Sequence, residues 1–262
     1  MYDLLVVGAG NMGSALAVGM GNAEGGPKSI AILDHTLNKA QAVAARLPQG
    51  RALTELESAD VYLLAVKPHH IRNVVKELPA GAKVISVAAG IRLAQLNSWL
   101  VKGGAIVRAM PNTACEIGQG VTAVCATAGS EDLAARAQEW FRLVGEVFLV
   151  PEKQFDVVSA LSGSGPAYVF LLLEAMQEAG ITLGLPAAMA LDLARATVRG
   201  AGLLSQARQD DPRAMRLAVT SPGGMTAEAI AVFEKLRFRH QVLTAVRAAA
   251  ERSQELSALA ED

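Results

Sequence analysis

Seven short apolar runs punctuate the first 150 positions: Asp3–Val7, Ser29–Leu33, Val61–Val66, Lys83–Val87, Ala105–Ala109, Val121–Ala126 and Glu146–Val150. Each is apolar on successive residues, not on alternate ones. That is the pattern of a strand covered on both faces. Helical patterns lie between the runs. In one of them Leu133, Ala137, Trp140, Phe141 and Val144 recur at helical spacing, with Ser130 placed to cap and Glu131 and Asp132 in the first turn. Strand alternating with helix predicts an α/β fold with a doubly wound, mostly parallel sheet and right-handed crossovers.

After Pro151 the pattern changes. No convincing strand follows. Asp192, Arg195 and Arg199 form a polar stripe on an otherwise apolar helix. Phe238, Val242, Ala245, Val246, Ala249, Ser253, Leu256 and Ala260 trace one face of a long final helix. Two domains are therefore expected, residues 1–151 with the sheet and 152–262 all-helical. The helix around Leu185–Leu204 is apolar over much of its surface, which suits either a face buried by another subunit or a buried central helix.

Composition removes several classes of function. Hydrophobic residues make up 52%, too many for a disordered chain. The net charge of −1 provides no basic field for nucleic acid or an anionic membrane. The two cysteines, Cys115 and Cys125, read as reduced buried thiols, and the N-terminus lacks a basic targeting region. The uncharged run Val157–Leu173, interrupted by Ser-Gly-Ser-Gly-Pro, falls short of the ~20 apolar residues of a membrane span. The expectation is a soluble cytoplasmic protein.

Glycine is abundant, 24 of 262 residues against a usual ~7%, and its placement is informative. Gly8-Ala9-Gly10-Asn11-Met12-Gly13 follows the first strand directly and opens a helix. The first glycine of such a G-x-G-x-x-G permits a tight turn. The second lets the backbone approach a pyrophosphate, and the third allows close helix–strand packing. The second strand ends at Asp34, 26 residues after Gly8, near where a carboxylate bonds the adenosine ribose. Dinucleotide binding is the reading. Asp34 leans toward NAD, whereas His35, Thr36 and Lys39 offer groups for a phosphate, so NAD and NADP both stay open.

Further candidates sit at strand ends, where a doubly wound sheet holds its ligands. They are Ala65-Val66-Lys67-Pro68, Val87-Ala88-Ala89-Gly90, and Asn112 within Arg108–Asn112. His69-His70 reads as a solvated pair and not as metal ligands, since adjacent side chains point apart. No metal site is expected. Ser162-Gly163-Ser164-Gly165-Pro166 either opens a helix or kinks a longer one that began near Glu152. Ser221-Pro222-Gly223-Gly224-Met225-Thr226 precedes a helix over Ala227–Lys235. Unpaired N–H groups there suit a carboxylate, with Thr226 adding a hydroxyl at the lip. A plain helix cap by Ser221 or Thr226 is the other reading.

These stretches, with Leu161–Tyr168, occur together and in order over nearly the whole chain, and so the sequence resembles pyrroline-5-carboxylate reductases of proline biosynthesis. The Ser-Gly-Ser-Gly-Pro-Ala-Tyr and Ser-Pro-Gly-Gly-x-Thr pair carries the resemblance most specifically. It implies a Rossmann-like N-terminal domain, a helical C-terminal domain that dimerises, and dimers built into larger rings, commonly decamers. It implies NADP(H) or NAD(H) as cofactor and reduction of the C=N bond of a cyclic imine to L-proline. In that reading Ser221, Gly223, Gly224, Met225 and Thr226 hold the substrate, the Thr226 hydroxyl orients the imine, and Glu152 resembles a residue near the substrate. Two departures stand out. Met225 replaces a usually small residue, and Asp34-His35-Thr36 differs from the small-polar-plus-arginine pattern of NADPH-preferring members. The alternatives are a β-hydroxyacid-type dehydrogenase and a non-catalytic dinucleotide sensor. The dehydrogenase needs an acid/base lysine, yet after residue 150 only Lys153 and Lys235 remain. A sensor has no use for the Gly223–Thr226 turn.

Overall fold

The computed structural model describes residues 1–100 and 103–259. Ala260, assigned above to the final helical face, lies outside the described residues. One sheet of eight strands runs in the order β3-β2-β1-β4-β5-β6-β7-β8. The strands are β1 (Tyr2–Val7), β2 (Ile30–Leu33), β3 (Gly50–Leu53), β4 (Ala59–Leu64), β5 (Ala82–Ser86), β6 (Gly104–Met110), β7 (Gly120–Ala126) and β8 (Gly145–Leu149). The connecting helices are α1 (Asn11–Gly21), α2 (Leu37–Ala44), α3 (Pro68–Glu77), α4 (Leu93–Trp99) and α5 (Glu131–Arg142).

Double-sided burial explains the unbroken apolar runs. On β1, Leu4 and Val6 pack into one core layer and Leu5 and Val7 into the other. On β4, Val61 and Leu63 join the first layer, Tyr62 and Leu64 the second. Leu4 stands level with Ile30 of β2 and Val61 of β4, so three central strands share one register. Helices α1, α2 and α5 cover the first face, and α3 and α4 the second.

Three points differ from the sequence reading. Strand β3 was not anticipated, because four residues beginning Gly50-Arg51 at a sheet edge carry no apolar run. Strands β6 and β7 are antiparallel. The residues between Met110 and Gly120 are too few for a parallel crossover, and they form a 3₁₀ turn, Thr113–Ile117. Ser130 does occupy the N-cap of α5, but its hydroxyl does not cap. It accepts from the Ile106 N–H at 3.0 Å and pairs with the Thr127 hydroxyl at 2.8 Å, so it ties the helix start to β6.

Past β8 the described chain is helical. A run from Glu152 to Thr182 comprises a 3₁₀ turn, α6 (Phe155–Val158), a π-turn over Ser159–Gly163 and α7 (Gly165–Thr182). The longer, interrupted helix is therefore the correct one of the two sequence alternatives. The Ser164 N–H reaches the Ser159 carbonyl at 2.9 Å, and the Ser162 hydroxyl donates to the Val158 carbonyl. At Gly163 an added Cβ would sit 2.8 Å from the Met110 side chain. The run is long and apolar enough to cross a membrane by length and composition, which the charge-free window Val157–Leu173 understated.

Helices α8 (Ala187–Arg208), α9 (Pro212–Ala218), α10 (Met225–Lys235) and α11 (Phe238–Leu259) complete the chain. Contacts divide it into two units, one of residues 1–166 and 247–262, the other of 167–246. In the second unit Met189, Leu193, Leu203 and Leu204 of α8 are all exposed. Among the described residues nothing covers these side chains, so α8 presents an apolar surface.

Candidate active site

In this strand order the direction of winding reverses between β1 and β4, and a crevice opens at the carboxyl ends of the strands. A cleft of about 520 Å³ lies there. Gly8, Gly10, Asn11 and Met12 line it from the first turn, Asp34, His35 and Lys39 from the second, Ala65, Val66, Lys67, Pro68 and His70 from the third, and Val87, Ala88 and Ala89 from the end of β5.

The glycines of the first turn have separable reasons. Gly8 has φ +110°, and a Cβ there would lie 2.7 Å from the Ala65 carbonyl carbon. At Gly13 a Cβ would overlap the Gly8 carbonyl, so glycine lets α1 approach β1. Gly10 is different. Its φ of −73° is ordinary, and an added Cβ would meet nothing within 4 Å. Nothing in the protein demands a glycine at that point. The open space lies in the cleft, at a helix N-terminus that suits an anion. Gly10 is also the N-cap of α1, and no side chain caps it. The N–H groups of Asn11, Met12 and Gly13 therefore have no protein acceptor among the described residues.

Ala9, Gly13, Thr36 and Asn112 do not line the cleft. Ala9 and Thr36 act through Asp34. The Ala9 N–H donates to Asp34 Oδ2 at 2.7 Å and the Thr36 N–H to Oδ1 at 2.9 Å. Asn112 sits in the β6–β7 connection. Its Oδ1 accepts from the Ala114 and Val121 N–H groups, and its Nδ2 donates to the Ser162 carbonyl at 3.1 Å. It thus ties the strand end to the π-turn. His70, read as merely solvated, lines the cleft. The signal was Pro68 at the first position of α3, which sets residue 70 in the first turn beyond the β4 end. The His69 and His70 rings do not point apart, for their centroids are 4.1 Å from each other.

Glu152 belongs to a buried polar knot. Its Oε1 accepts from Arg108 Nη1 at 3.1 Å and from the Leu93 N–H, at the start of α4, at 2.7 Å. Arg108 is only 4% exposed, and its guanidinium lies 4.5 Å from the centre of the Phe155 ring. Beside this pair burial, with the Glu152 charge adding to it, pushes the Cys125 thiol up to about 12. Burial also raises Cys115. Both cysteines are protonated thiols at neutral pH, unsuited to nucleophilic work.

In the second unit the Ser221–Gly224 turn feeds α10, which starts at Met225, two residues earlier than expected. Gly223 takes φ +69°, a backbone that favours glycine, and at Gly224 a Cβ would meet the rotatable Ser221 hydroxyl. Neither Ser221 nor Thr226 caps the helix. The N-cap is Gly224, again without a capping side chain. Among the described residues the N–H groups of Met225, Thr226 and Ala227 have no acceptor. Thr226 and Met225 are exposed in the first turn. Such a terminus receives an anion such as a carboxylate.

Comparison with known proteins agrees with both halves. Residues 152–256 match the family model described as pyrroline-5-carboxylate reductase dimerisation, and residues 3–90 match one described as NADP oxidoreductase coenzyme F420-dependent. A pyrroline-5-carboxylate reductase of Corynebacterium melassecola is 36% identical over 98% of this chain and 99% of its own. Among solved structures, the pyrroline-5-carboxylate reductase of Coxiella burnetii superposes with a TM-score of 0.88 at 36% identity, covering 98% of each chain. The Plasmodium falciparum pyrroline carboxylate reductase with NADP bound gives 0.87 at 28% identity, also over 98% of each.

Proposed function

The chain belongs to the pyrroline-5-carboxylate reductase family, and we infer from its geometry which residues perform the family's reaction. It reduces the C=N bond of 1-pyrroline-5-carboxylate to L-proline with NAD(P)H, the last step of proline biosynthesis. These relatives set aside the dehydrogenase and sensor alternatives. One observation carries the assignment of residues. Of the helices with a described N-cap, only α1 and α10 have glycine there. One terminus suits the cofactor's pyrophosphate and the other the substrate's carboxylate.

On the cofactor side, the N–H groups after Gly10 hold the pyrophosphate, and Asp34 takes the adenosine ribose with His35 and Thr36 beside it. Ala65, Val66, Lys67 and Pro68 flank the phosphates. Val87, Ala88 and Ala89 admit the nicotinamide ring to the backbone, and Asn112 fixes the neighbouring strand end. When bound, the reduced nicotinamide supplies the hydride. On the substrate side, Ser221, Gly223, Gly224 and Met225 present backbone to the carboxylate. The Thr226 hydroxyl bonds the ring nitrogen and orients the imine. A threonine hydroxyl is too weak an acid to be the main proton source, so the imine takes its proton from solvent. Holding both reactants in register supplies most of the rate. Glu152, whose second oxygen has no hydrogen-bond partner among the described residues, is assigned to the substrate by the resemblance to the family.

The functional division falls at residue 151. The apolar face of α7 and α8 is assigned to the dimer and not to a bilayer, because the dimerisation match covers both helices. A cytoplasmic location and assembly of dimers into a decamer complete the proposal. The test is spectrophotometric. Loss of NADH or NADPH absorbance with pyrroline-5-carboxylate, and none with β-keto acids, is the expected result. No turnover with either cofactor overturns the assignment.

A further inference from the structure

Asp34 follows the last residue of β2, and its carboxylate is only 8% exposed. Both oxygens are held. Oδ2 accepts from the Ala9 N–H inside the glycine turn at 2.7 Å, Oδ1 from the Thr36 N–H at 2.9 Å, and His35 Nδ1 stands 3.1 Å from Oδ1. An exposed carboxylate can rotate away from an unwelcome charge. This one is tied to backbone on two different segments and cannot. Oδ2, with one partner, still has a lone pair for a sugar hydroxyl.

We propose that Asp34 makes this reductase select NADH over NADPH, an inference that rests on the cofactor cleft assigned above. A ribose 2′-hydroxyl donates to the fixed carboxylate. A 2′-phosphate brings up to two negative charges against it, in a cleft where water screens poorly. The cationic groups of the cleft do not offset this. The near nitrogen of His35 is already turned to Asp34, and the rest of its side chain is 87% exposed. Lys39 is a solvated point charge on a flexible stem, while Lys67 and His70 approach from the β4–α3 side. Among the described residues no arginine lines the cleft. The planar two-pronged grip that best holds a phosphate is therefore missing.

The test is calorimetric titration of the full chain, with the oxidised forms NAD and NADP so that no turnover intervenes, and with ADP-ribose and 2′-phospho-ADP-ribose to isolate the 2′ position. The unphosphorylated ligand of each pair is expected to bind about tenfold more tightly or better at neutral pH and low salt. Asp34→Asn keeps an acceptor for one backbone N–H and removes the charge. It should shift the ratio toward the phosphorylated ligand by about tenfold while weakening the unphosphorylated one only a few-fold. Asp34→Ser should shift it the same way. If Asp34 were only a brace for the glycine turn, both affinities would fall together and the ratio would not move, which refutes the proposal. NADP binding as tightly as NAD to the unaltered chain refutes it alone. Binding of neither dinucleotide refutes the cofactor reading as well.

Discussion

Replacing Glu152 with alanine tests whether the knot between β6 and α4 holds the fold. The substitution strands Arg108, 4% exposed, without its anion, and deprives the first N–H of α4 of its acceptor. Breaking a fully buried pair costs about 3–5 kcal/mol, whereas exposed pairs give about 1 or less. Glu152 is 31% exposed, so a value of about 2–3 kcal/mol is reasonable for the pair. The lost helix-terminal bond adds about 1 kcal/mol. The sum, roughly 3–4 kcal/mol, lowers the melting temperature by roughly 6–15 °C in a chain of this length. The only two tryptophans, Trp99 and Trp140, both lie in the sheet-bearing unit, so their fluorescence in a urea titration reads that unit. Glu152→Gln, which keeps an acceptor oxygen, should fall between. Arg108→Met supplies the second arm of a double-mutant cycle. The double variant should be at least about 1 kcal/mol more stable than the two single losses predict. If the losses add, or if Glu152→Ala costs less than about 0.5 kcal/mol, the two residues are not a coupled pair and the reasoning fails.

Other sites give equally direct tests. Thr226→Ala should lower kcat by about 10- to 100-fold while the NAD(P)H dissociation constant stays within about twofold, and abolished cofactor binding would contradict its placement on the substrate side. Gly10→Ala should leave the melting temperature unchanged yet weaken dinucleotide binding about tenfold or more, because its Cβ enters open cleft. Gly13→Ala should instead destabilise the fold through the Gly8 carbonyl. Asp60 bonds Lys83 at 2.6 Å and also pairs with Arg136, and mainly through the Lys83 bond its carboxyl is held below its ordinary value. Its contribution is therefore present above the unfolded carboxyl pKa near 3.9 and lost as pH falls through the lower folded value. Asp60→Asn should cost about 1 kcal/mol or less at pH 7, both cations being partly exposed, with the gap to the parent closing in acid.

Sequence pattern located seven of the eight strands because each shows an unbroken apolar run, buried on both faces in the central strands although Phe148 and Leu149 of β8 are exposed. Strand β3 escaped for the same reason in reverse, since Arg51 at a sheet edge faces water. The cleft was legible at Gly8, Gly10, Asn11, Met12, Asp34, Ala65–Pro68 and Val87–Ala89, because chain order puts these residues at strand ends. Hydrogen-bond partners were not. Nothing in one dimension says that Asn112 bonds the Ser162 carbonyl 50 residues on, or that Glu152 meets Leu93 59 residues back. The hydroxyl of Ser130 shows the limit of local rules. Its position is that of a cap, but two partners across a loop, Ile106 and Thr127, outbid the helix end.

On the proposed assignment, the two glycine-capped helix ends let a chain of net charge −1 hold two anionic ligands. Two other helix starts, those of α9 and α4, are closed by side chains. Asp211 accepts the Arg213 and Ala214 N–H groups at α9, and Glu152 fills the first N–H of α4. At α1 and α10 a glycine stands where such a side chain would. That choice costs only about a few tenths of a kcal/mol at each end, because glycine is itself a tolerated N-cap. In return it leaves three aligned N–H donors under the positive end of the helix dipole. Donors of this kind cannot be titrated, carry no net charge and need no counterion. The affinity they confer should fall less with added salt than that of lysine-based sites. Selection between similar anions is then left to the fixed charges nearby, which on the cofactor side means Asp34.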